Sequence, residues 1–126
     1  MLVVDDNTMS RLFLKRILSQ LRVTVLEAAD GEEALARATE QRPDLILCDI
    51  DMPGTNGIEF VRSLRASPDL EDTPLVMVTA SGNREDVLAL KELGVLDYLV
   101  KPVPVDVARA RLERILLQVA DRGRNR

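Results

Sequence analysis

The sequence contains no histidine among its 126 residues. Without an imidazole, the chain lacks Ser-His-Asp and Cys-His catalysis, a histidine general base and histidine-rich zinc sites. It has one cysteine, Cys48, which lies within an apolar run and has no partner for an internal disulfide. We therefore interpret Cys48 as a small buried hydrophobic residue rather than as a reactive thiol.

Long apolar runs and an excess of positive charge are likewise missing from the sequence. No run approaches the roughly 18 apolar residues of a membrane-spanning helix, and the apolar start, Met1–Val4, is too short for a secretory signal. We therefore expect a cytoplasmic protein that makes no membrane contact. The net charge of -4 argues against non-specific nucleic-acid binding. We interpret Arg122, Arg124 and Arg126 as a solvated tail or linker start rather than a nucleic-acid contact.

The sequence does contain a repeated pattern of short β-branched runs and longer amphipathic stretches. Hydrophobic residues make up 46% of the chain and charged residues 30%, which is typical of a folded domain. Successive units of one run and one stretch predict an α/β fold with a parallel sheet. The last helix is expected from about Asp106 to Val119. We therefore predict a single domain over residues 1–119 and a basic tail or linker start over residues 120–126.

The stretch after the first strand allows a prediction of which helix face is buried. The residues predicted to face inward are Met9, Leu12, Phe13 and Ile17, and those on the other side are Arg11, Lys15 and Arg16. Asn7 or Thr8 is predicted to cap this helix. A second strand is predicted over Val23–Leu26. The third strand, Asp44 to Asp49, is apolar at consecutive positions, so it should be covered on both faces at the centre of the sheet.

Four apolar runs each end in a reactive polar residue. These residues are Asp5 and Asp6 after Leu2–Val4, Asp49 after Leu45–Cys48, Thr79 after Leu75–Val78, and Lys101 after Tyr98–Val100. In neighbouring parallel strands these ends meet at one edge of the sheet, where open α/β sheets bind their ligands. The sequence therefore predicts that three carboxylates, a hydroxyl and an ammonium lie together at that edge.

Asp5, Asp6 and Asp49 together predict a site for a hard divalent cation. Clustered carboxylates repel one another unless a cation lies among them. A carboxylate that directly follows buried apolar residues, as Asp49 does, is also costly without a positive or hydrogen-bonding partner. Mg²⁺ suits such a site because it binds few carboxylates and keeps several waters. The alternative for Asp5 and Asp6 is a helix N-cap followed by a second acid that the helix dipole favours.

Lys101 and Thr79 each have two interpretations. Lys101 is either a solvated charge at a strand end or a partner of Asp49 that contacts a phosphoryl oxygen once Asp49 is modified. Thr79 is either a turn hydroxyl or a donor to the same phosphoryl group. The Lys101-Pro102 bond is a candidate for a cis peptide, because bonds preceding proline tolerate cis far better than other peptide bonds.

Taken in order, these segments resemble the response-regulator receiver domains of two-component signalling, the chemotaxis regulators among them. The segments that carry the resemblance are Val3–Asn7, Asp49–Gly54, Val78–Ala80 and Asp97–Pro102. The resemblance covers nearly the whole chain. It implies a flavodoxin-like, doubly wound α/β fold with five parallel strands in the order 2-1-3-4-5. It also implies that Asp49 accepts a phosphoryl group from a sensor histidine kinase or a histidine phosphotransfer protein.

The resemblance implies roles for the other residues at the sheet edge. It implies that Mg²⁺, or alternatively Mn²⁺, is bound by Asp5, Asp6, Asp49 and the backbone carbonyl of Asp51, that Thr79 and Lys101 hold the phosphoryl oxygens, and that Tyr98 is the aromatic residue of the switch. Phosphorylation is expected to change the surface formed by the fourth helix, fifth strand and fifth helix. The alternative for Tyr98 is an aromatic residue packed on a strand with its hydroxyl in water.

Three functions compete for this sequence. The favoured one is a phosphorylation-gated signalling module that is not an enzyme for foreign substrates. A receiver-like adaptor that is never phosphorylated is disfavoured because Asp49, Thr79 and Lys101 are all present. The segment Asp49–Asp51 also resembles the nucleophile motif of haloacid-dehalogenase-type phosphatases, but there the motif follows the first strand. The sequence does not identify the output domain or effector, and dimerisation through the last helices stays open.

Overall fold

The structure, a computed structural model, describes residues 1–50, 52, 56–80 and 84–124. Within these residues, strands and helices alternate five times, as the repeated pattern predicts. The strands are β1 Leu2–Val4, β2 Leu26–Ala28, β3 Ile46–Asp49, β4 Leu75–Thr79 and β5 Asp97–Val100. The helices are α1 Thr8–Ser19, α2 Gly31–Gln41, α3 Gly57–Ala66, α4 Arg84–Glu92 and α5 Val105–Arg124. No helix in these described ranges is long and apolar enough to span a membrane.

The five strands form one parallel sheet in the order β2-β1-β3-β4-β5, which confirms the predicted fold class and strand order. The central strand β3 separates two apolar clusters. Ile46 and Cys48 belong to the cluster on the α2, α3 and α4 side, whereas Leu45 and Leu47 belong to the cluster on the α1 and α5 side. Because side chains alternate between the two faces of a strand, a continuous apolar run fills both clusters at once.

The predicted buried face of α1 is wrong at two positions. Met9 is 70% exposed and Leu12 is 36% exposed, while the buried residues of α1 are Leu14, Ile17 and Leu18. The stripe through Met9 and Leu12 also passes Arg16, so turning that stripe inward would bury a charge. The helix therefore packs with its other aliphatic stripe against the sheet. The predicted cap is confirmed for Asn7, whose side chain accepts a hydrogen bond from the Ser10 amide at 3.0 Å.

Two elements, β2 and α5, also differ from the prediction in their bounds. Strand β2 runs over Leu26–Ala28 rather than Val23–Leu26, because the register from Leu2↔Leu26 to Val4↔Ala28 limits pairing to the three residues of β1. Val23 is instead partly buried against the apolar cluster on the α1 and α5 side of the sheet. Helix α5 continues to Arg124 rather than ending near Val119, since no proline or glycine interrupts the helix before Gly123. The domain boundary at residue 119 stays a prediction.

A single arginine ties together the ends of α3 and α4. The Arg65 guanidinium donates hydrogen bonds to the carbonyl oxygens of Leu93 at 2.8 Å and Gly94 at 3.4 Å, just beyond the last residue of α4. It also donates to the carbonyl oxygens of Glu71 at 2.8 Å and Thr73 at 2.7 Å, in the segment before β4. Arg65 therefore satisfies carbonyl groups just past α4, where a helix end leaves them without intrahelical partners, and two more in the segment before β4.

Candidate functional site

Three carboxylates meet at the carboxyl edge of the sheet, as the sequence predicts. Asp5 follows β1 and Asp49 ends β3, and one oxygen each from Asp5, Asp6 and Asp49 lie within 4.8 Å of one another. Asp5 is 1% exposed and Asp49 is 6% exposed, whereas Asp6 is exposed. Three close carboxylate oxygens form a donor set that fits a hard divalent cation. The backbone carbonyl of Asp51, which the sequence analysis adds to this set, lies outside the described residues.

The Lys101 ammonium joins two of these carboxylates. Its Nζ donates to Asp5 Oδ2 at 3.0 Å and to Asp49 Oδ2 at 3.2 Å, and it lies 3.5 Å from Ser10 Oγ. Burial lowers the pKa of Lys101, but the hydrogen bond to Asp5 and the charges of Asp49 and Asp5 outweigh burial and raise it overall. Lys101 is therefore a paired charge and not a solvated one. The Lys101-Pro102 peptide bond is cis.

Asp5 is also held by groups that the sequence analysis does not assign to the site. The Asn7 amide donates to Asp5 Oδ1 at 2.9 Å, and the Asp5 amide donates to the Ala28 carbonyl at 3.1 Å. The Arg11 guanidinium donates to the Asp5 carbonyl, although Arg11 was expected on the solvent side of α1. A bond from a side chain to a backbone carbonyl has no periodic signal in the sequence, so only the structure reveals this contact.

Thr79 ends β4 beside the last residue of β5 and is 1% exposed. Its carbonyl accepts a hydrogen bond from the Lys101 amide at 2.7 Å. Asp49 pairs with Val78, so Thr79 lies one residue further along the neighbouring strand than the residue opposite Asp49. This register places Thr79, Asp49 and Lys101 at the same end of three adjacent strands.

Tyr98 packs against the core cluster on the α4 side of the sheet. Its hydroxyl oxygen is buried and has no hydrogen-bond partner among the described residues, which differs from the alternative of a hydroxyl in water. Burial raises the pKa of Tyr98, and the nearby charge of Asp86 in the first turn of α4 raises it further. The switch role of Tyr98 stays a prediction.

Cys48 and Gly57 support the strand end that carries Asp49. Cys48 is fully buried, and its burial, together with the charges of Asp49 and Asp5, raises the pKa of the thiol well above its ordinary range. The burial agrees with the interpretation of Cys48 as a small buried hydrophobic residue, and a raised pKa disfavours the reactive thiolate. A Cβ atom at Gly57 would lie 2.4 Å from the Asp49 carbonyl oxygen and 2.7 Å from Ile50 Cα. Only glycine allows α3 to begin this close to the end of β3.

An apolar groove of about 500 Å³ opens beside the site, between the first turn of α1 and the segment after β5. Its lining includes Met9, Phe13, Leu99 and Val103, with Lys101 among its few polar residues. Met9, which was expected in the core, therefore faces this groove and the solvent.

Comparison with known proteins identifies one family. The family model described as "Response regulator receiver domain" matches residues 1–113. A "Chemotaxis protein CheY homolog" from Campylobacter jejuni is 37% identical over 118 residues, covering 92% of this chain and 91% of that protein. The solved structure of the chemotaxis response regulator CheY4 of Vibrio cholerae is similar with a TM-score of 0.82 and 35% identity, covering 90% of this chain and 95% of that one.

A further structural relative was solved with a bound metal. The "Mn(2+)-bound form of response regulator Rcp1" has a TM-score of 0.77 and 29% identity to this chain, and the likeness covers 90% of this chain and 88% of that one.

Proposed function

This chain belongs to the response regulator receiver domain family of two-component signalling, and we propose that it is a switch set by phosphorylation of Asp49. The observation that supports this most directly is the Lys101 ammonium, which lies within 3.2 Å of a carboxylate oxygen on both Asp5 and Asp49. A nearly buried carboxylate with a lysine beside it and two further acids within reach combines a nucleophile with a cation site. Phosphoryl transfer needs both.

We propose that the cation is Mg²⁺, with Mn²⁺ as an alternative, held by Asp5, Asp6 and Asp49 together with the backbone carbonyl of Asp51. The donor set of carboxylate oxygens supports a hard cation, and the Mn²⁺-bound relative is consistent with it. When bound, such a cation neutralises negative charge on the transferred group.

The other steps of phosphoryl transfer are carried out by Asp49, Lys101 and Asp5. A carboxylate oxygen of Asp49 attacks the phosphorus, the phosphorus–nitrogen bond of the phosphohistidine donor breaks, and the electron pair stays on the histidine nitrogen. The product is an acyl phosphate on Asp49. Because that carboxyl group no longer carries its own charge, the Lys101 ammonium can turn from Asp49 to a phosphoryl oxygen. Asp5, at 3.0 Å from Lys101 Nζ, keeps the lysine in place during this exchange.

The signal then passes from the phosphoryl group to the surface. The acyl phosphate adds negative charge and acceptor oxygens at Asp49, so the Thr79 hydroxyl is drawn toward it. The space that Thr79 leaves allows Tyr98 to turn further inward, and the surface of α4, β5 and α5 changes shape. We propose that an output domain or effector protein binds this surface. The donor is a sensor histidine kinase or a histidine phosphotransfer protein, and no direct contact with nucleic acid or membrane is proposed.

Beryllofluoride with Mg²⁺ mimics the phosphoryl group and tests this proposal. We expect amide resonances near Thr79 and Tyr98 to shift in a two-dimensional NMR spectrum. The chain contains one tyrosine and no tryptophan, so its fluorescence reports Tyr98 alone and should change as well. The matched control is Asp49→Ala, which should not respond. An equal response in the control, or no response in the wild type, would contradict the proposal and favour an adaptor that is never phosphorylated.

A further inference from the structure

Arg11 bridges the turn after β1 and the neighbouring strand β2. One guanidinium nitrogen donates to the carbonyl oxygen of Asp5, while Nε donates to Glu27 Oε1 at 3.3 Å. The Arg11 side chain is 17% exposed, so much of it is withdrawn from solvent. Lys15 pairs with the other Glu27 oxygen at 3.1 Å. Glu27 thus holds two cations of α1, but only Arg11 also contacts the turn that carries Asp5.

The Asp5 carbonyl that Arg11 binds belongs to the peptide group leading to Asp6. The Asp5 side chain is fixed without Arg11, because the Asn7 amide and Lys101 Nζ each bind one of its oxygens. Asp6 is exposed, and among the described residues nothing forms a hydrogen bond or ion pair with its side chain. The position of the Asp6 carboxylate therefore depends on the orientation of the peptide between Asp5 and Asp6 and on the side-chain torsions of Asp6 itself.

We propose that Arg11 is a positioning residue for the cation site, holding the Asp5–Asp6 peptide so that the Asp6 carboxylate faces the carboxylates of Asp5 and Asp49. This inference rests on the proposed cation site. The charge of Arg11 and its hydrogen bond to the Asp5 carbonyl have opposite effects on cation affinity. A guanidinium near a cation repels it, so removing only the charge would strengthen cation binding. Releasing the peptide would weaken cation binding, because a ligand that must be ordered on binding costs conformational entropy.

Because loss of the charge and release of the peptide change Mg²⁺ affinity in opposite directions, isothermal calorimetry of the full chain with Mg²⁺ can test the inference. We expect Arg11→Gln to weaken Mg²⁺ binding roughly tenfold, as is usual when a residue that orients a metal ligand is lost. Arg11→Lys keeps the charge but not the forked geometry that reaches both Glu27 and the carbonyl, so we expect an intermediate loss of affinity. The matched control is Lys15→Gln, which removes a cation from the same Glu27 without touching Asp5 and should bind at least as tightly as the wild type.

Two further measurements separate positioning from a merely structural role. In the metal-free protein, Arg11→Gln should shift the amide nitrogen resonance of Asp6, whose peptide loses its hydrogen bond, while Lys15→Gln should leave it in place. In an Asp6→Asn background, Arg11→Gln should cause little further loss of Mg²⁺ affinity, because its effect is transmitted through the Asp6 carboxylate. Thermal unfolding confirms that each variant is folded. If Arg11→Gln does not fold, Arg11→Lys provides the same comparisons.

The outcomes distinguish this inference from the function on which it rests. If the wild type does not bind Mg²⁺, the cation site fails and the role of Arg11 fails with it. If the wild type binds but Arg11→Gln binds equally or more tightly, the role of Arg11 alone is overturned. The role of Arg11 would also be overturned if Arg11→Gln lowered Mg²⁺ affinity as much in the Asp6→Asn background as in the wild type.

Discussion

The two ends of the sheet both carry acids and a cation, yet they differ in what those groups do. At the amino end, a depression of about 520 Å³ is lined by Arg42, Asp44, Asp69 and Asp72 among others. Its ion pair, Arg42 with Asp69 at 3.6 Å, has side chains that are 67% and 75% exposed. At the carboxyl end, the side chains of Lys101, Asp5 and Asp49 are 26%, 1% and 8% exposed.

The difference lies in how the backbone presents the charged residues. At the amino end they belong to segments that precede strands, and water screens their interaction. At the carboxyl end Asp5, Asp49 and Lys101 are within one residue of a strand end, so the register of the sheet sets their spacing. Because these side chains are withdrawn from water, their charges interact more strongly with one another. The two ends therefore differ in strand register and burial rather than in acid content.

The strongest test of this comparison is to remove one acid from each end. Asp49→Asn should reduce labelling by acetyl phosphate by at least about 100-fold, because the nucleophilic oxygen is lost. Asp72→Asn at the amino end should label like the wild type. Mass spectrometry of the intact protein measures the fraction phosphorylated. Equal loss in both variants, or persistent labelling of the Asp49→Asn variant, would show that the two ends do not differ as described.

A second test compares the two cations by their effect on stability. Lys101→Met leaves two nearly buried carboxylates facing each other and should lower the free energy of unfolding by roughly 2–3 kcal/mol, less than for a fully buried pair because the Lys101 side chain is 26% exposed. Arg42→Met removes an exposed pair and should change it by less than about 0.5 kcal/mol. Urea unfolding monitored by circular dichroism measures both values. Added Mg²⁺ should recover part of the loss in Lys101→Met.

The pH dependence of stability in the wild type and in Lys101→Met checks whether the Lys101 charge causes this effect. Since the pKa of Lys101 is raised above its ordinary value of 10.5 in the folded state, its stabilising contribution is complete below that pH and is lost as pH rises through the raised pKa. The stability difference between the wild type and Lys101→Met should therefore stay constant from neutral pH to about pH 9.5. A difference that declined between pH 7 and 9 would contradict this assignment.

The smallest expected effect is the influence of a single carboxylate on the pKa of a nearby group, Asp86 on Tyr98 at the carboxyl end and Asp44 on Met1 at the amino end. At the carboxyl end, burial and Asp86 both raise the pKa of Tyr98. At the amino end, Asp44 raises the pKa of the Met1 amino group, but burial outweighs it and the pKa is lowered overall. Asp86→Asn should therefore shift the alkaline absorbance titration of Tyr98, the only tyrosine, to lower pH. Asp44→Asn should leave that titration where it is in the wild type.

The sequence predicts what depends on order along the chain, and the structure adds what depends on packing. Asp5, Asp49 and Lys101 could be grouped in advance because parallel strands bring their carboxyl ends together whatever their spacing in sequence. The buried face of α1 could not, since two apolar stripes fit the helical period and only packing against the sheet chooses between them. The contact from Arg11 to a backbone carbonyl left no pattern to detect.

The hydroxyl of Tyr98 illustrates the same limit at the level of one atom. Its position in β5 follows from the sequence, but the burial of its oxygen depends on where α4 lies against the sheet, which no local pattern specifies.

Of the four carbonyl groups that accept hydrogen bonds from Arg65, those next to α4 anchor only one end of that helix. Two of them, on Leu93 and Gly94, lie just past the final residue of α4, so a rigid swing that keeps these bonds must turn about that end. The first residue of α4, Arg84, is about 12 Å away along the helix axis, and displacement grows with distance from the pivot. In such a swing the largest displacement would fall on the turn that carries Asp86, at the same end of the sheet as Asp49.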